Sequence, residues 1–171
     1  MIDELVTRLD RQVEEHVPKL KTLDEAIMER PLAPGKWTGK EVLGHLCDSG
    51  AINRQRLVRS QYEEPYEFPY YEQATWVRVQ GYAAYPWGRL VTQFEAEYQH
   101  LVWLLRQLPD GAGAVKAPVS FGRRDFVTVE WLLGHIGRHN DHHLKQIYWL
   151  AGLGDLPDPA LLTGPFELLP R

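Results

Sequence analysis

Four of the seven histidines fall in one short run, His135-Ile-Gly-Arg-His139-Asn-Asp-His142-His143, and Gln146 follows one turn later. At about 100° per residue on a helix, His135, His139, His142, His143 and Gln146 share one arc of about 100°. Trp131, Leu132, Trp149 and Leu150 lie on the same stripe, whereas Glu130, Arg138, Asp141 and Lys145 lie towards the opposite side, so the imidazoles face a helical interior. A buried imidazole without a partner is costly, and a metal ion removes that cost. Histidines at i and i+4 project from adjacent turns towards one ion, and two pairs have that spacing: His135/His139 and His139/His143. A pair alone is an incomplete site. The natural third donor is His45, in Trp37-Thr-Gly-Lys-Glu-Val-Leu-Gly-His45-Leu-Cys-Asp48, on a face shared with Val42, Leu46, Ser49, Ile52 and Asn53. Three neutral imidazoles suit a divalent ion of zinc or nickel type. They leave positions open for water or a substrate atom, as catalytic sites do.

The competing account of the cluster is a hydrogen-bonded polar core, with His135 and His142 as ring-stacked spectators. His16 and His100 read as ordinary polar or interfacial residues. Cys47 is two residues from His45, points to a different side, and reads as a small core residue. Asp48, one turn from His45, is either a carboxylate that orients an imidazole or an exposed charge. Water attack at a metal commonly uses a carboxylate, and none lies on the histidine stripe; Glu63, Glu64, Glu67 or Glu72 could supply one. Tyr70, Tyr71, Trp76 and Trp87 are expected either to wall the pocket or to pack in the core or a dimer contact.

These side chains must be held by helices. Ile2, Leu5, Val6, Leu9, Val13 and Val17 make one amphipathic stripe, which Pro18 is expected to kink or end. Thr22-Leu-Asp-Glu25 matches a capping box that restarts a helix through Met28, and Thr38-Gly-Lys-Glu41 matches a second, opening a helix past Arg59. Residues 63–85 read as a long connection with one short helix near Gln73 to Val79. Pro86 suits a first helical position, and Leu90, Phe94, Leu101, Leu104, Leu105 and Leu108 stripe a third long helix that Pro109-Asp-Gly-Ala-Gly stops. Val115 to Phe126 reads as extended, and the last long helix runs from about Thr128 to Leu150. Residues 153–171 form an irregular tail. Four long helices without strand and helix alternation predict an all-α, antiparallel helical bundle forming one domain over residues 1–171.

Composition narrows the function classes. The chain has 171 residues and a formal net charge of −4, from 19 Lys+Arg against 23 Asp+Glu, so no basic excess points to nucleic acid. No stretch approaches the length of a membrane helix, and the first twenty residues carry no signal-like apolar run. The single cysteine fits a cytoplasmic location, and it means that a metal site here is built from imidazole and oxygen. Gly-x-Gly-x-x-Gly, P-loop and Gly-x-Ser-x-Gly motifs are lacking.

The stretches Lys36-Trp-Thr-Gly-Lys-Glu-Val-Leu-Gly-His45-Leu-Cys-Asp48 and His139-Asn-Asp-His142-His143-Leu-Lys-Gln146-Ile resemble, in order and separation, the two hallmark segments of the DinB/YfiT-like superfamily. The resemblance implies a four-helix bundle with up-down-down-up connections, forming a homodimer. It also implies a divalent metal held by His45, His139 and His143, with His142 non-ligating and His135 unassigned. Relatives act as metal-dependent hydrolases, or as transferases and isomerases that use low-molecular-weight thiols such as mycothiol and bacillithiol. The implied function is activation of water or such a thiol against a small-molecule substrate. The alternative is a non-catalytic, metal-stabilised bundle serving as a binding or stress-response module. Leu-Lys-Gln146 departs from the commoner Arg-Gly-Gln form, so no subfamily's substrate carries over.

Overall fold

The computed structural model describes residues 2–63, 71–119 and 125–155. Its long helices are α1 (Ile2–Lys21), α3 (Gly39–Arg59), α5 (Trp87–Arg106) and α6 (Val129–Leu150). The shorter α2 (Glu25–Met28) and α4 (Gln73–Gln80) lie in the connections, and strands β1 (Lys116–Val119) and β2 (Asp125–Thr128) pair antiparallel between α5 and α6. The stretch expected to be extended is thus a hairpin for its described residues. The tail beyond residue 155 lies outside them.

Two helix boundaries differ from the sequence expectation. Pro18 lies inside α1, which continues to Lys21. Its missing N–H is outweighed by packing: Val17 and Leu20 are buried, and the Leu20 carbonyl accepts the Trp87 indole N–H at 2.8 Å. Thr22 therefore does not cap. Its hydroxyl donates back to the Lys19 carbonyl, and Asp24 caps α2 by accepting from Ala26 N. The second box forms as expected, with Thr38 Oγ1 accepting from Glu41 N and the Glu41 carboxylate accepting from Thr38 N. Pro86 takes the cap position of α5, one residue before the first helical residue.

Contacts between the helices give the topology. α1 and α5 are antiparallel, since Lys21 meets Glu95 while Asp10 meets Arg106. α1 and α6 are parallel, since Arg8 pairs with Asp141 and His16 meets Tyr148. α3 and α5 are also parallel: Cys47 faces Leu90 and Arg54 pairs with Glu97. α3 and α6 are antiparallel, with Gly39 against Leu150 and His45 against His139. The order is up-down-down-up. The parallel α3/α5 pair requires the chain to return along the bundle, and that is the task of the long connection carrying α4.

The main apolar core draws on all four long helices and includes Leu43, Leu46, Leu90, Phe94, Leu101, Leu132 and Ile136, and Ile52 and Tyr71 form a second, smaller cluster. No helix among the described residues is long and apolar enough to cross a membrane.

Candidate metal centre

α3 and α6 face each other antiparallel, which brings the second turn of α3 against the middle of α6. There, His45, His139 and His143 place one ring nitrogen each within 4.8 Å of the others. Nε2 of His45 lies 3.1 Å from Nε2 of His139. Two nitrogens on a tetrahedral zinc, each 2.0–2.1 Å from the ion, lie about 3.3–3.4 Å apart, so this edge is already close to ligand spacing. The other spacing-compatible pair, His135/His139, is not the one selected: His135 lies a turn away, stacked on Trp131 with ring centroids 5.5 Å apart. His142 is half-buried at the edge of the stripe, against His143.

The far nitrogen of His143 sets its tautomer. His143 Nδ1 donates to Gln146 Oε1 at 2.7 Å, which leaves Nε2 with a lone pair for the cluster. With Nε2 of His45 turned inward, its Nδ1 shares a hydrogen bond with the Tyr71 hydroxyl at 3.2 Å. All three rings are kept neutral. Burial, followed by the charge of His142, pushes His45 down to about 4, and burial holds His139 and His143 well below the ordinary imidazole value. Three neutral, desolvated imidazoles with converging nitrogens form a donor set that fits a divalent ion of intermediate softness.

The surroundings separate the remaining expectations. Tyr71 does wall the site, and Trp76 meets it edge-on with centroids 4.9 Å apart. Trp87 does not; it is buried between α1 and α5. Tyr70, Glu64 and Glu67 lie outside the described residues. Glu63 pairs with Arg59, and Glu72 caps α4 by accepting from Thr75 N, so neither carboxylate enters the site. Trp37, which the sequence offered only as part of a motif, packs on the His45 ring with centroids 5.1 Å apart. Its place just before the Thr38 cap was the available signal.

Asp48 is neither exposed nor bonded to an imidazole. It is buried, with Oδ1 accepting from Gln80 Nε2 at 2.6 Å and from the Tyr82 hydroxyl at 2.7 Å, so it ties the end of α4 to α3. Burial raises its pKa, partly offset by those two bonds. Cys47 is a core residue as expected, its thiol directed at the Leu90 carbonyl and pushed up by burial.

The DinB superfamily profile matches residues 7–147. The chain belongs to the DinB superfamily. Among solved structures, YfiT from Bacillus subtilis, described as a probable metal-dependent hydrolase with an unusual four-helix bundle topology, superposes with a TM-score of 0.79 at 21% identity, over 88% of this chain and 86% of that one. A mycothiol-dependent maleylpyruvate isomerase superposes with a TM-score of 0.72 at 16% identity, over 86% of this chain and 60% of that one. At these identities the likeness establishes the four-helix fold. A search of curated proteins found no match.

Proposed function

We propose that this DinB-superfamily chain is a metal-dependent enzyme in which His45, His139 and His143 hold a divalent ion, zinc or nickel by donor type, and activate a low-molecular-weight thiol for attack on a small electrophile. One observation carries the reading: three buried, neutral imidazoles converge, and no fourth ligand joins them among the described residues. An ion held by three protein ligands lowers the pKa of a thiol or water that it binds and polarises an electrophile. Gln146 and Tyr71 keep two of the imidazoles turned inward. Tyr71 and Trp76 offer an aromatic wall to the substrate.

A thiol is favoured over water because it ionises near pH 8.5 unaided, and the cluster contains no carboxylate to take a proton. The likeness to a mycothiol-dependent isomerase supports the same preference. Water remains a second reading on one specific feature: Asp48 Oδ2 is buried one turn from His45 and accepts no hydrogen bond from the described residues. The likeness to YfiT supports that reading. A non-catalytic structural ion is disfavoured because His135 and Asp48, which could have closed the sphere, both stand outside the cluster.

Cobalt-substituted protein distinguishes the two chemistries. Cysteine, mycothiol or bacillithiol is expected to add a sulfur-to-cobalt charge-transfer band. A spectrum unmoved by all three thiols rejects the thiol reading and leaves water, for which Asp48→Asn should then abolish hydrolysis.

A further inference from the structure

The chain has six tryptophans, and their surroundings divide them. Trp87 shows what packing alone looks like: it is 3% exposed, and its indole N–H donates to the Leu20 carbonyl at 2.8 Å. Two others reach the metal-binding rings and stay partly open to water. Trp37 is half-buried, and its indole packs on the His45 ring with centroids 5.1 Å apart and planes at 44°. Trp76 is 40% exposed and meets Tyr71 edge-on with centroids 4.9 Å apart. Tyr71 lies parallel to the His45 ring and shares a hydrogen bond with its Nδ1, so a single ring bridges Trp76 to His45.

Both indoles are carried on backbone that is fixed from either side. The Trp37 carbonyl accepts from Leu32 N at 2.9 Å, and the next residue, Thr38, begins the capping box of α3. Trp76 sits within α4, which Glu72 caps at one end and the bond from Gln80 to Asp48 ties to α3 at the other. Core packing does not account for either exposed surface: Trp76 belongs to neither apolar cluster, and Trp37 only rests against the main one. Aromatic surface held rigidly in water beside a reactive centre is ready for a ligand, because little ordering cost is left for binding to meet.

Aromatic faces take up flat, apolar groups through offset or edge-on contacts, with ring centroids about 4.5–7 Å apart. We propose that the small electrophile carries such a group, about the size of a phenyl ring, and that Trp37 and Trp76 receive it while the reacting atom meets the ion. The Trp37 indole touches the ring of a proposed metal ligand, so the group it receives lies close to the reacting atom. The proposal rests on reading the three histidines as an open metal site. It adds a substrate class to that reading: aryl or similarly flat, apolar compounds whose electrophilic centre adjoins the ring.

The test uses cobalt-loaded, untagged protein with benzohydroxamic and acetohydroxamic acids, which offer the same metal-binding group with and without a ring. Affinity is read from the cobalt absorption, and each ligand's affinity for free cobalt is measured in parallel and divided out. The benzo compound should then bind about tenfold or more tighter. That ratio should fall several-fold in Trp37→Leu and in Trp76→Ala, and Trp37→Phe should retain most of it. Equal binding of the two acids by the unmutated protein, with the spectrum responding to both, overturns the aromatic inference and leaves the metal site standing. A ratio unchanged in folded, metal-loaded Trp37→Leu also overturns it; purely structural indoles would lower the melting temperature and leave the ratio where it was. Should Trp37→Leu fail to fold, the unmutated ratio and Trp76→Ala decide the matter, and an unchanged ratio in Trp76→Ala overturns the inference. If neither hydroxamate changes the spectrum of a fully loaded protein, the open metal site fails and this inference fails with it.

Discussion

An imidazole binds a cation only through a nitrogen that carries no proton, so the groups on the far side of each ring matter as much as the rings themselves. Gln146 sets this for His143. Replacing Gln146 with Leu removes the acceptor from Nδ1 and should weaken metal binding about 10- to 100-fold, measured by competition with a chelator, while His142→Ala leaves it unchanged. Equal weakening in both variants would point to a general loosening of α6. At this scale the sequence was informative where chemistry follows helical spacing. His139 and His143 are one turn apart, and the buried stripe could be counted off residue by residue. Tyr71 was legible only as one aromatic among several, because it reaches His45 across a connection whose path local pattern does not encode.

Among elements, α3 carries the site and α4 is fastened to it. Gly44 permits the contact: a Cβ there would lie 2.3 Å from the Tyr82 ring, and that ring is held by its hydroxyl on Asp48. Gly44→Ala should therefore destabilise the fold by about 1–3 kcal/mol in urea unfolding, with the cost falling in Gly44→Ala/Tyr82→Leu, where the obstructing ring is gone. A neutral single substitution would mean that the α3 and Tyr82 segments do not pack this way. Helix existence could be inferred from periodicity, but helix ends depended on partners. Thr22-x-x-Glu25 and Thr38-x-x-Glu41 are the same pattern, yet only the second caps. The first is overridden because Leu20 is buried and Trp87 bonds its carbonyl, which carries α1 through Pro18 and leaves Asp24 to start α2. The pairing of β1 with β2 was likewise invisible in a stretch read only as extended.

For the whole molecule, the bundle holds a cluster of imidazoles at its centre in the neutral state. Burial pushes His45 and His135 each down to about 4, below the roughly 6.5 of an unfolded chain. The metal-free fold therefore binds fewer protons than the unfolded chain between those values. Its stability from these groups is fully present above pH about 6.5 and is lost as pH falls towards 4. Urea midpoints of metal-free protein should fall steadily between about pH 7 and pH 4.5, and a flat profile would contradict the burial of the cluster. The up-down-down-up order was legible only through family resemblance, because periodicity finds helices without showing which neighbours run parallel. The central claim is that His45, His139 and His143 together hold an ion, and metal content tests it most directly. Untagged protein purified without added chelator should carry about one divalent ion per chain, and His45→Ala, His139→Ala and His143→Ala, each still helical, should carry close to none. Full metal content in all three variants would contradict the account.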